Sequence, residues 1–190
     1  VLNKLAGDGL LIRVAGKGTF VAPQKINAVS PVYKGIREQL EVLGYDIATT
    51  LISTERVPAP TRVREHLNLP AGAEVIAVIR LRTVDGKPLS VHRSFVPASL
   101  APGLDQLDVV NEQLCVVLED KFNLSMKSVS EDLEVIVAEG TDAKLLELRK
   151  GDPALLLTDV ITNPAGTAFE YSTIVFRGDT VRLKFDYKRE

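Results

Sequence analysis

Apolar and polar side chains alternate through residues 78–97 in a way that predicts two strands. Ala77, Ile79 and Leu81 form one apolar row and Leu89, Val91 and Phe95 another, while Arg80 and Arg82 point the other way. Asp85-Gly86 between the two runs is the strongest short hairpin signal a sequence offers. A two-residue turn would set Leu81 opposite Ser90 and mix the rows. A three-residue loop, Asp85-Gly86-Lys87, sets Leu81 opposite Val91 and aligns them. Because a slip of one residue turns every side chain to the other face, the pattern predicts the longer loop. Arg80, Arg82, Ser90 and His92 then share one face of sheet.

The rest of the chain is patterned around this hairpin. Leu2 and Leu5 predict the end of a helix, stopped at Gly7 or Gly9. Residues 10–14 and 19–22 predict two short strands about Ala15-Gly16-Lys17-Gly18, whose glycines permit a tight tip. Residues 23–30 are polar and unpatterned and predict a linker. Helices are expected over 31–43, 60–67, 110–122 and 141–146, and strands over 47–57, 127–138 and 181–187, with two more flanking Pro164-Ala165-Gly166. An offset of 79 residues lays Leu67-x-Leu69-x-x-Gly72 on Leu146-x-Leu148-x-x-Gly151, Ile36 on Cys115 and Leu43 on Phe122. The pattern therefore predicts one α-β-α-β-β unit used twice.

Length and composition narrow the classes. The chain has 190 residues, enough for one substantial core and a small appendage. Its single cysteine excludes an internal disulfide. No apolar run approaches the roughly 18 residues of a membrane span and no signal peptide opens the chain, so a cytoplasmic location is expected. Two histidines and one cysteine, in no ligand spacing, predict neither a metal site nor a cofactor. Charge is uneven. Residues 1–25 carry Lys4, Arg13, Lys17 and Lys25 against Asp8, a net +3 that leaves −5 elsewhere. A basic end on an acidic body predicts different partners for the two parts.

The basic hairpin is not a phosphate-binding loop, since Leu11 stands where the first glycine is needed and Gly18 where a hydroxyl is needed. The run from Leu2 to Val21, above all Gly16-Lys17-Gly18-Thr19-Phe20-Val21, resembles the end of the winged helix-turn-helix of GntR-type bacterial transcription regulators. The resemblance implies operator DNA as a partner, with Arg13, Lys17 and Gly18 in the DNA-facing wing. In that family the helix-turn-helix proper lies upstream, so the chain is expected to begin within or just after its last helix.

The body resembles the UTRA effector-binding domain of the HutC-like branch of that family. The likeness rests on Arg56-Val57-Pro58-Ala59-Pro60, Leu67-x-Leu69-x-x-Gly72, Arg80-Leu81-Arg82, Gly86-x-Pro88, Pro97, Glu170-Tyr171-Ser172 and Arg177-Gly178-Asp179. It implies an α+β fold, an antiparallel sheet with packed helices shared with chorismate lyase. The expected division is a wing remnant over 1–22, a linker over 23–30 and the effector domain over 31–190. It also implies that Arg80, Arg82, His92, Glu170 and Phe176 line the effector site, and strand parity adds Ser90. Sugar-phosphate-binding members carry glutamate at the position of His92, tyrosine at that of Phe176 and serine at that of Gln113. These departures favour a small carboxylate-bearing ligand, with His92 changing charge near neutral pH and Phe176 meeting an apolar body.

Blander readings stand beside these. The arginine face could be solvated, and Glu170 could simply pair with Arg80 or Arg82. His66 is expected on a solvated helix face, Cys115 in the core of its helix, and Asp132 and Glu134 along a solvated strand edge. The function expected is a ligand-responsive repressor acting as a homodimer, away from membranes. The alternatives are a chorismate lyase-like enzyme, against which no nucleophile is set beside a base, and a stand-alone binding module.

Overall fold

The computed structural model describes residues 1–7, 11–21, 25–29, 36–110 and 113–184. Its first part is helix α1 (Leu2–Gly7) and the hairpin of β1 (Leu11–Val14) and β2 (Gly18–Val21). Arg13 stands opposite Thr19, and its guanidinium donates to the Asn3 side chain of α1. Gly16 and Gly18 both take positive φ at the tip, beside the exposed Lys17.

The body is built on β4 (Ile47–Pro58), β5 (Glu74–Val84), β6 (Lys87–Pro97), β7 (Ser128–Val137), β8 (Pro153–Thr162) and β9 (Ala168–Arg177). They form one antiparallel sheet in the order β4-β5-β6-β9-β8-β7. The duplication is visible in this order: each repeat supplies three strands, and the halves meet where β6 pairs with β9. It is visible again in the loops that follow α3 (Thr61–His66) and α5 (Gly140–Leu145). Asn68 and Glu147 both turn left-handed there, at φ 50° and 53°. Leu69 N–H donates to the Arg64 carbonyl and Leu148 N–H to that of Ala143, the same bond 79 residues on.

The hairpin register is as the apolar rows demand, with Leu81 opposite Val91, Arg80 opposite His92 and Arg82 opposite Ser90. The expected three-residue loop is corrected. Val84 pairs with Lys87, so Asp85-Gly86 is a two-residue turn with both φ positive, and a bulge at Leu89 supplies the extra residue. Leu89 is buried, so a bulge inside the core satisfies the same apolar match that a longer loop would have satisfied outside it.

Within the stretch expected as a linker, Ile26–Val29 forms β3, parallel to β10 (Val181–Lys184). Four residues pairing with a strand more than 150 positions away leave no local period to detect. Ile26 N–H also donates to the Thr180 carbonyl at 2.8 Å, and Lys25 Nζ to that of Gly178 at 2.6 Å. A Cβ on Gly178 would lie 2.6 Å from the Pro153 carbonyl oxygen, so only glycine lets this corner close on β8.

Of the helix expected over 31–43, α2 covers Ile36–Val42 among the described residues, and α4 (Leu114–Phe122) is shorter than the apolar spacing predicts. Gln113 is extended ahead of α4, and residues 30–35, 111–112 and 185–190 lie outside the described residues. A short 3-10 turn at Leu104–Gln106, absent from the expectations, carries the chain from β6 toward α4.

The central strands of the sheet are covered on both faces. On one, α3, α5 and the loops after them pack on Val75, Val91, Tyr171 and Val175. His66 is exposed, yet its ring stacks on Tyr171 at 4.7 Å rather than facing water alone. The other face carries two separate clusters. Ile76, Val78 and Val96 pack with Leu114, Val117 and Leu118 of α4, while Val84, Leu89 and Phe176 pack with Ile26, Leu40 and Val181. What lies between the two clusters defines the site.

Candidate functional site

Along β5 the residues on this second face run Ile76, Val78, Arg80, Arg82, Val84, apolar at both ends and doubly cationic in the middle. The same sequence of characters recurs on neighbouring strands. Ser90, His92 and Ser94 lie on β6, Glu170 and Ser172 on β9, and Asp159 on β8 between Leu157 and Ile161. All eight polar side chains are buried, none more than 6% exposed. A solvated face is thereby ruled out.

Strand geometry fixes these groups. Side chains two apart on a strand stand about 7 Å from each other. Two like charges at that distance repel by about 2 kcal/mol at an effective dielectric near 20. Burying both is costly unless something compensates them. Arg80 gains one neutral acceptor, with Nη1 donating to the Val109 carbonyl at 3.3 Å, while Nε has no hydrogen-bond partner. Burial lowers the Arg80 pKa from its usual value, and Glu170 opposes that.

His92 lies across from Arg80, with Nε2 2.9 Å from Ser90 Oγ, and Phe176 approaches its ring edge-on at 6.2 Å. Burial first, then the Arg82 and Arg80 guanidiniums, hold the imidazole well below its ordinary pKa. Without an anion beside it, the ring is neutral at neutral pH. The Ser90–His92 contact also corrects the expectation that no hydroxyl meets a base.

Glu170 accepts a hydrogen bond from Ser94 and feels Arg80 through space, but burial dominates and raises its pKa. Among the described residues no ion pair joins it to Arg80. Asp159 was not among the residues singled out. Its Oδ2 accepts from Ser172 Oγ at 2.9 Å and its Oδ1 has no partner. Burial pushes its pKa up to about 7, with Glu131 and Glu170 adding to the rise and Ser172 opposing it. The signal for it was a lone carboxylate inside the apolar run Leu155-Leu156-Leu157-Thr158-Asp159-Val160-Ile161, in parity with Ser172. Thr49 and Thr54 of β4 add two buried hydroxyls without partners, Thr49 directly opposite Arg82. Buried polar atoms left unpaired in this number are uncommon in folded proteins.

Arg80, Arg82, Ser90, His92, Glu170 and Phe176 are thus brought together. Cys115 is not core as expected: α4 buries Leu114, Val117 and Leu118 and leaves the thiol exposed. It still interacts electrostatically with Arg80 and Glu170, which sets it beside the site. Asp132 and Glu134 are exposed on β7, as the alternation implied. Arg13, Lys17 and Gly18 sit on the separate β1–β2 hairpin. No cluster of three metal-ligating side chains occurs among the described residues, and none of their helices is long and apolar enough to cross a membrane.

A family model described as UTRA domain matches residues 43–182. A protein of Escherichia coli (strain K12) named probable fructoselysine utilization operon transcriptional repressor is 27% identical over 188 residues, 99% of this chain and 77% of that protein. The histidine utilization repressor of Pseudomonas putida is 26% identical over 156 residues, 82% of this chain and 62% of that protein. In fold, the chain matches the crystal structure of PhnF from Mycobacterium smegmatis with a TM-score of 0.78 at 22% identity, covering 100% of this chain and 83% of that one.

Proposed function

The chain belongs to the UTRA domain family, and from that premise we propose that it is the effector-sensing part of a DNA-binding transcriptional repressor. The observation that carries the reading is the pair of buried guanidiniums, Arg80 and Arg82, on one face with a neutral imidazole. An anion there offsets their mutual repulsion and accepts from planar donor forks that match a carboxylate. Ser90 and His92 supply further donors, and Phe176 offers an apolar wall. The ligand proposed is a small carboxylate-bearing metabolite. Two relatives carry fructoselysine and histidine utilisation in their names, and both compounds are carboxylates.

In this reading residues 1–22 hold the DNA-facing wing, residues 23–30 the connection and residues 31–190 the sensor. The protein acts in the cytoplasm as a homodimer, because two DNA-binding modules must meet half-sites at a fixed spacing. Arg13 and Lys17 contribute phosphate contacts, the salt-dependent part of operator binding, and Gly18 shapes the wing tip. The ligand changes operator affinity by as much as it discriminates between two arrangements of the dimer, typically about 1–3 kcal/mol.

The Ser90–His92 contact favours a hydrolase as the second reading. Against it, burial and two guanidiniums weaken the imidazole as a base, the reverse of what activating a serine needs. A thermal-shift panel on the full chain tests the proposal: carboxylates should stabilise it and phosphosugars should not. Stabilisation by phosphosugars alone would overturn the ligand class, and ester or chorismate turnover would favour an enzyme.

A further inference from the structure

The polar face has two ends of opposite character. At one stand Arg80, Arg82 and His92; at the other Asp159 and Glu170, each held by a serine hydroxyl from a neighbouring strand. Asp159 is fully buried, faces the same side as the arginines, and keeps one carboxylate oxygen without a partner. Nothing in the packing requires a carboxyl there, since its neighbours along β8 are Leu157 and Ile161 of the two apolar clusters.

We propose that Asp159, together with Glu170, forms a second pole of the site that takes the ammonium end of a zwitterionic effector whose carboxylate lies at Arg80 and Arg82. The inference rests on the anion-binding reading above and names the chemical class of its ligand. An ammonium carries three donors and no acceptor, enough for the open oxygen of Asp159 and for Glu170 with one to spare. A hydroxyl would supply one donor and no charge, leaving two buried carboxyls to repel each other. From β5 to β8 there are three inter-strand spacings, about 14 Å. The side chains reaching in from both sides shorten this to the span of about four to six carbon atoms.

The charged groups that act on Asp159 are Glu131 on β7 and Glu170 on β9, both acidic, with the Ser172 hydroxyl the favourable contact. Without a cation the carboxyl is therefore half protonated near neutral pH. A bound ammonium favours the ionised form, so binding expels a proton and tightens as pH rises through about 7.

The test uses calorimetry on the full chain with 5-aminopentanoate and 6-aminohexanoate against pentanoate and hexanoate. The amino acids should bind at least ten-fold more tightly than the amine-free acids at pH 8. That ratio should shrink at pH 6 and shrink again in Asp159→Asn, each variant's amino acid affinity being compared with its own hexanoate affinity. In wild type near pH 7, paired buffers of different ionisation enthalpy should show the amino acids releasing more protons than hexanoate does, a readout independent of any variant. If hexanoate binds through Arg80 and the amine adds nothing, or releases no further proton, the zwitterion inference fails alone. If neither series binds, the anion reading falls with it.

Discussion

Ile26, which follows the β1–β2 hairpin, and Phe176, which borders the polar face, belong to one buried apolar cluster. The strand carrying Ile26 is paired with β10, which continues directly from the strand that bears Glu170 and Phe176. A ligand that shifts Phe176 therefore acts on packing shared with β3, the strand that follows the β1–β2 hairpin.

Ile26→Ala tests that route. It should leave effector affinity within about three-fold while reducing ligand-driven operator release, a loss on the scale of the 1–3 kcal/mol such couplings carry, about five-fold or more. Paired calorimetry and gel-shift titrations separate the two. Unchanged operator release would show that the coupling runs elsewhere.

Arg80→Met should raise the melting temperature of the ligand-free protein or leave it unchanged. Replacing a buried charge by an apolar side chain of similar length is commonly neutral to stabilising, by about 1–4 kcal/mol. The same variant should abolish stabilisation by carboxylates. A destabilised variant that still responds to them would mean Arg80 is structural.

Asp159→Asn should change the pH dependence of stability. The folded-state pKa is raised to about 7 from an ordinary 3.8, so the native carboxyl favours folding fully below the unfolded value. That contribution is lost as pH rises through about 7. The asparagine keeps an acceptor for Ser172 and does not titrate. Relative to wild type it should gain stability between pH 5 and pH 8, and denaturant melts at both values measure the gain. An unchanged difference would place Asp159 in contact with water.

Glu147→Asn exploits the duplication. Asn68 occupies the left-handed corner in the first repeat, a conformation asparagine tolerates, and Glu147 occupies it in the second. The substitution should stabilise by about 0.5–1 kcal/mol, read from the urea midpoint at constant slope. No gain would mean that the electrostatic attraction between Glu147 and Arg177 matters more than the Glu147 backbone.

The sequence made some of this legible and hid the rest for physical reasons. Register was readable because burying both sheet faces leaves one alignment that keeps Leu81 with Val91. The duplication was readable because two loops repeat the same left-handed corner and glycine. The bulge at Leu89 was hidden, since an inserted residue and a longer loop give the same apolar match. β3 was hidden because its partner is remote, and Asp159 because parity alone cannot tell a buried carboxyl from a solvated one. The arginine face was visible as a face; its burial depends on α4 and on β3, which periodicity did not place there.

The central claim is that a carboxylate settles between Arg80, Arg82 and His92. The chain has two histidines, so the imidazole resonances of His92 can be followed with His66 as an internal control. Titrating linear four- to seven-carbon carboxylates should move the His92 signals saturably and raise the imidazole pKa toward its ordinary range, with His66 unmoved. If His92 stays still while any of these ligands binds, or if binding survives Arg80→Met unchanged, the anion is not held where the account puts it.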